Sequence, residues 1–184
     1  MHHLFKIFWA ARAVVYKLFF GQFGWLSYIG RPIFLLGARR MHIGRQVRIF
    51  PGLRAECHGD GRLFIGDNVS IGQNFHVIAG SELHIGGGSL ISGGVFITDT
   101  DHTFDEVGIP VFDQPVRVTP TRVGENCFLG IGARIQAGTI LGNGCVVGAN
   151  SVVKGNFPDH SMIVGTPGRI VKRYNAASSM WERC

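Results

Sequence analysis

Residues 43 to 174 predict an all-β solenoid of short parallel strands, broken once by a loop and preceded by a helix. Three observations carry this. From Ile43 to Val153 an aliphatic residue opens unit after unit of six: "IGRQVR", "IFPGLR", "IGDNVS", "IGQNFH" early on, and "VGENCF", "LGIGAR", "IQAGTI", "LGNGCV", "VGANSV" later. All fourteen opening positions are Ile, Val or Leu, and glycine follows directly in eight, which is too regular for an ordinary sandwich. Finally, glycine is abundant, 27 of 184 residues, against only 7 prolines, as many tight turns require.

A six-residue period is too short for a helical repeat and suits one strand plus a turn. Three units close a triangular coil of about 18 residues, with the first position inward and coils stacked about 4.8 Å apart. The fifth position is mostly small or apolar (Val69, Ser89, Cys127, Ala133, Thr139, Cys145, Ser151), and glycine serves the corners. Asn68 reads as a corner residue.

The elements preceding the repeat have a different character. In "HLFKIFWAARAVVYKLFFG", Leu4, Phe8, Ala11, Val15 and Leu18 share one helical stripe, with Lys6 and Lys17 opposite and Gly21 as a stop. Its charges make it a poor spanning helix and a poor secretory leader. Two alternatives follow: residues 3–20 lie on a membrane with basic groups toward anionic headgroups, or they pack on the protein or between subunits. Residues 1–42 are thus expected to be helix plus connecting segment, 43–174 the solenoid, and 175–184 a tail.

Hydrophobic residues make up 46% of the chain, so a large core can be buried, and one domain with an appendage is expected. The net charge of +6 admits a membrane surface or a polyanionic small molecule. No aromatic-basic interleaving is present, so no nucleic-acid partner is expected. Cys57, Cys127, Cys145 and Cys184 form no CxxC pair; they read as packed side chains in a reducing compartment.

The rhythm stops at "ITDTDHTFDE", residues 97–106, and resumes at Val123. The segment 103–122 contains Pro110, Pro115 and Pro120 and is predicted to protrude as a loop, where function concentrates. His102 stands at its base. Acyl transfer to an alcohol needs a base near neutral pH and a donor for the oxyanion, and histidine fits the first role. Asp99, Asp101, Asp105 and Glu106 are candidates to orient the ring, as is a backbone carbonyl. His58 and His76, like His84 and His102, are 18 residues apart, a spacing that could stack each pair; otherwise the histidines other than His102 face solvent or line an acceptor groove. No second histidine lies within a few residues of His102, so no metal site is expected. Glu82 reads equally as a sugar contact or a solvated turn residue.

The repeat, together with "VGANSVVKGNFPDHSMIVGTPGRIVKRY", resembles the hexapeptide-repeat acyltransferases, and within them the bacterial sugar and polysaccharide O-acetyltransferases. The resemblance implies a left-handed parallel β-helix, a homotrimer, acetyl-CoA as co-substrate and a sugar or glycan acceptor. It implies His102 as catalytic base and Asn74 as a group holding the acceptor or oxyanion. It places Ile131, Ala149, Lys154 and Gly155 along the donor, with Arg169 and Lys172, helped by Arg173, at its phosphates. Phe128 stands where relatives often carry tryptophan. The alternative to a phosphate contact is a basic cap on the open end. The expected location is cytoplasmic, with peripheral contact at the inner membrane face. Alternative functions are acylation of a nucleotide-sugar amine, a γ-type carbonic anhydrase, and a non-catalytic scaffold.

Overall fold

The computed structural model describes Trp9 and residues 12–184. Residues 3–8, 10 and 11 of the 3–20 stretch, Leu4, Phe8 and Ala11 of its apolar stripe among them, therefore lie outside the described residues, and residues 12–16 are helical. The rest is a triangular parallel β-helix of about seven turns. Coil one is β1 (Gln22–Phe23), β2 (Tyr28–Ile29) and β3 (Phe34–Leu36). Coil two is β4 (Met41–Ile43), β5 (Arg48–Ile49) and β6 (Arg54–Cys57). Coil three is β7 (Arg62–Ile65), β8 (Ser70–Ile71) and β9 (His76–Ala79), and coil four is β10 (Glu82–Ile85), β11 (Leu90–Ile91) and β12 (Phe96–Thr98). A hairpin, β13 (Thr100–His102) with β14 (Val116–Val118), then leaves the prism. Coil five is β15 (Arg122–Val123), β16 (Phe128–Leu129) and β17 (Arg134–Ile135), and coil six is β18 (Ile140–Leu141), β19 (Val146–Val147) and β20 (Val152–Val153). A part-coil of β21 (Asn156–Phe157) and β22 (Ser161–Gly165) is closed by the antiparallel strands β23 (Gly168–Asn175) and β24 (Met180–Arg183).

The strands form three faces of seven, nine and six. On the first face Ile43, Ile65, Ile85, Val123 and Leu141 stack in register. On the second Ile49, Ile71, Ile91, Leu129 and Val147 do so, and on the third Ala55, Val77, Ile97, Ile135 and Val153. These columns are the core, and all their members are buried. The fifth-position residues fill the corners from inside, and where they carry hydroxyls these are paired. Ser27 Oγ donates to the Gly44 carbonyl and accepts the Val47 N–H, and Ser89 Oγ does the same with Gly124 and Cys127.

Three expectations shift. The solenoid begins at Gln22, not 43, because Phe23, Ile29 and Leu35 pair with Ile43, Ile49 and Ala55 as a full first coil. The tail expected at 175–184 instead contains β24, which with β23 seals the far end. Coil length also drifts. Ile43 pairs with Ile65 and Ile65 with Ile85, steps of 22 and 20 residues, and only from Val123 to Leu141 is the step 18. The four-residue strands β6, β7, β9 and β10 absorb the excess near one edge.

The corner geometry rests on the fourth position of each unit. Asn68, Asn74, Asn126 and Asn150 hold φ of 57°, 56°, 53° and 54°, where an ordinary side chain is strained and asparagine or glycine is tolerated. Glycine takes the same place at Gly132 and Gly144. Asn126→Ala is expected to cost about 1 kcal/mol of unfolding free energy, with Asn126→Gly costing less, by denaturant titration.

Candidate functional site

His102 ends β13, opposite Val116, on the exposed root of the hairpin. The loop beyond is internally tied. Gln114 is buried; its side-chain oxygen accepts the Glu106 N–H at 3.1 Å and its amide donates to the carbonyls of Glu106 and Ile109. Thr103 closes the loop by donating its N–H and hydroxyl to the Pro115 carbonyl. The sequence reading missed Gln114, since a glutamine among prolines carries no pattern.

The four acids take other work. Asp99 is fully buried, and its carboxylate accepts the N–H groups of Gly80 and Ser81 and the Ser81 hydroxyl at 2.7–2.8 Å. It caps the corner below the hairpin. Asp101 lies 3.5 Å from Lys154, and Asp105 lies 3.6 Å from Arg117. Glu106 contributes backbone groups to the Gln114 tie. Among the described residues none of these acids hydrogen-bonds the His102 ring, so the structure does not pick out any of the four candidates for orienting it.

The expected donor residues divide between two edges of the third face. Lys154 and Gly155 follow β20 on the hairpin edge, where Lys154 reaches Asp101 beside His102. Ile131 and Ala149 stack on the opposite edge, linked by the Asn150 N–H donating to the Ile131 carbonyl. One step further the Thr166 hydroxyl contacts the Asn150 carbonyl, and the turn from Gly165 to Gly168 brings Arg169 opposite Val164. Lys172 pairs with Met162 within the second face. Asn74 occupies a corner on the Ile131 edge, where its side chain lies over Gly52 as Asn126 lies over Gly88 and Asn150 over Gly132. About six residues of extended chain, roughly 20 Å, separate that edge from the hairpin edge. A single chain therefore does not bring Asn74 to His102.

The histidines are not stacked as their 18-residue spacing suggested, because the coils there are longer. His84 stacks on Phe64, and Phe64 on His42, at 4.6 and 4.7 Å between ring centres on the first face. Glu82 lies 3.6 Å from His84 and 3.9 Å from Arg62. His58 and His76 instead share Glu56 on the third face. Glu56 is buried; Arg54 donates to it at 2.6 Å, His58 Nε2 lies at 3.0 Å and His76 Nε2 at 3.4 Å. Burial pushes the Glu56 carboxyl up, but Arg54 and the two imidazoles outweigh it and hold it below the usual carboxylate range. Burial, with Arg54 beside it, pushes His76 down. A cavity of about 420 Å³ lined by Asn74, His76, Gly94, Phe96 and Arg134 opens next to this cluster. Among the described residues no three His, Cys, Asp or Glu side chains gather as a metal-binding group.

A triangular parallel solenoid interrupted by a histidine-bearing hairpin is the build of a hexapeptide-repeat transferase. Residues 120–154 match the family model described as hexapeptide repeat of succinyl-transferase. The chain is 33% identical over 159 residues to Escherichia coli (strain K12) WbbJ, named as a lipopolysaccharide biosynthesis O-acetyl transferase; the match covers 83% of this chain and 81% of that one. The chain belongs to the hexapeptide-repeat acetyltransferase family. Its fold is shared with AntD, an N-acyltransferase from Bacillus cereus, in complex with dTDP-4-amino-4,6-dideoxyglucose and coenzyme A (TM-score 0.73, 20% identity, 91% and 90% covered). It is shared also with the hexapeptide-repeat acetyltransferase VCA0836 from Vibrio cholerae complexed with acetyl coenzyme A (TM-score 0.68, 23% identity, 90% and 78% covered).

The depressed Glu56 pKa has a signed consequence. Its ionised form stabilises the fold above the ordinary carboxylate pKa of about 4.3, and that contribution disappears as pH falls through the lower native value. Glu56→Gln is expected to be less stable than the parent at pH 7. The gap should close on acidification, by denaturant titration at a series of pH values.

Proposed function

We propose that the protein moves the acetyl group of acetyl-CoA to a hydroxyl of a saccharide used in surface-polysaccharide biosynthesis. The observation that carries this is His102, placed at the root of the hairpin that breaks the coil stack. His102 takes the proton of the acceptor hydroxyl as its oxygen bonds to the thioester carbonyl carbon. The tetrahedral intermediate then collapses, the C–S bond breaks, and the imidazolium returns the proton to the coenzyme A sulfur. The exposed position of the ring suits a group that must meet two substrates.

The division of residues between two edges supports a homotrimer. The hairpin edge of one subunit, with His102 and Lys154, would face the edge of the next that carries Asn74, Ile131, Ala149 and Arg169. Asn74 of that neighbouring edge would supply the oxyanion donor from its side-chain amide. The pantetheine arm would run along the stacked backbone at Ile131 and Ala149, with the anionic end at Arg169 and Lys172. Ester formation, rather than amide formation on a nucleotide sugar, is favoured by the similarity to a protein named as an O-acetyl transferase over most of both chains.

His102→Ala is expected to lower acetyl transfer by about 10²- to 10⁴-fold while calorimetric coenzyme A binding persists. Arg169→Ala should weaken coenzyme A binding by about tenfold or more. Release of the product's acetyl group by mild alkali or alkaline hydroxylamine would identify an ester, and resistance would identify an amide. Full transfer by His102→Ala would overturn the role given to the histidine.

A further inference from the structure

We propose that the first-coil end of the prism is a docking surface for an anionic membrane. This goes beyond the catalytic reading and does not depend on it. The strands β1, β2 and β3 are the terminal members of their three faces, so among the described residues no coil covers them from below. Among the described residues a short helical segment, with Ala13 and the following Phe20 in the core, closes part of that end. Around it large apolar side chains point into solvent: Val14, Leu18, Phe19, Trp25, Leu26 and Ile33, with Leu18, Trp25 and Leu26 each more than 70% exposed. Exposed apolar groups clustered at one end of such a prism mark a contact surface.

The charge selects the occupant. Residues 1–55 contain nine Lys and Arg and no acidic residue; Glu56 is the first in the chain. Lys17, Arg31 and Arg39 are exposed among the apolar groups. Lys17 Nζ lies 3.9 Å from the centre of the Trp25 ring, so a cation and an amphipathic aromatic share one rim. That combination suits the headgroup boundary, with rings and aliphatics below the phosphates and ammonium groups among them. A second copy of the chain fits poorly, since two such ends would each bring positive charge without a counter-charge. Among the described residues no helix is long and apolar enough to cross a membrane, so this surface lies on the bilayer. The opposite end differs: β23 and β24 fold over it and carry Glu182 along with basic residues.

The test is co-sedimentation of the full-length protein with vesicles of phosphatidylcholine alone and with about one third phosphatidylglycerol. Binding is expected to the anionic vesicles, to fall with added salt, and to be at least tenfold weaker on pure phosphatidylcholine. Lys17→Glu with Arg31→Glu should weaken it at least tenfold, and so should Leu18→Ser with Phe19→Ser. Melting curves and coenzyme A binding of the variants serve as folding controls. Equal binding to both vesicle types, no binding to either, or unchanged binding by both folded variants would overturn the proposal. So would velocity sedimentation showing end-to-end association that the same substitutions abolish, with no vesicle binding.

Discussion

A positive φ at the fourth position of most six-residue units is the constraint on which the rest of the molecule depends. Without it the chain cannot leave one face and enter the next within a residue or two, and three flat strands could not close into a coil. The sequence meets it with glycine or asparagine at most corners, Asn74, Asn126, Asn150, Gly132 and Gly144 among them. Once the corners are fixed, the first-position aliphatics have no direction but inward. The coil-to-coil hydrogen bonds then follow from stacking. That order explains why Asn74, whose neighbours in sequence invite a catalytic role, is first a structural residue. Its carboxamide covers Gly52 of the coil below, as the other corner asparagines cover theirs.

The repetitive part was legible in the sequence because period and burial coincide: each unit's first residue is aliphatic and its fifth small. The first coil was obscured by its composition. It places Phe23 at a first position and Leu26 at a corner with φ 59°, both atypical for the repeat, so an aromatic-rich stretch reads as a connector. Histidine stacking was misjudged because a constant step of 18 was extended into coils with steps of 22 and 20. The extra residues sit near one edge, and there Asp99 becomes necessary. Gly80 and Ser81 present two N–H groups with no strand to receive them, and the carboxylate does so. From sequence alone an acid three residues before a histidine looks like its partner. The hairpin could be located from the broken period, but its internal tie could not.

The third face gathers the residues on which chemistry would depend, yet along its two borders instead of its centre. His102 and Lys154 stand on one border, Asn74, Ile131 and Ala149 on the other, and the Glu56 cluster between them. Such separation is intelligible for a solenoid, whose flat faces offer no cleft of their own. Concavity arises only where prisms meet or where a hairpin stands away from the wall. The buried Glu56 keeps the His58 imidazole and the Arg54 guanidinium in place on that wall, and charge held in this way resists rearrangement when a polar ligand arrives.

Because each coil touches only its immediate neighbours, the number of coils works as a ruler. β12, from which the hairpin departs, belongs to the fourth coil, three steps of about 4.8 Å above the first. The strand that launches the hairpin therefore stands at a fixed height, about 14 Å over the first coil. Gain or loss of one coil would move it by a single step without disturbing the hairpin or the cap. Solenoids of this design can thus reset the distance between the first coil and the hairpin by counting, leaving both ends unchanged.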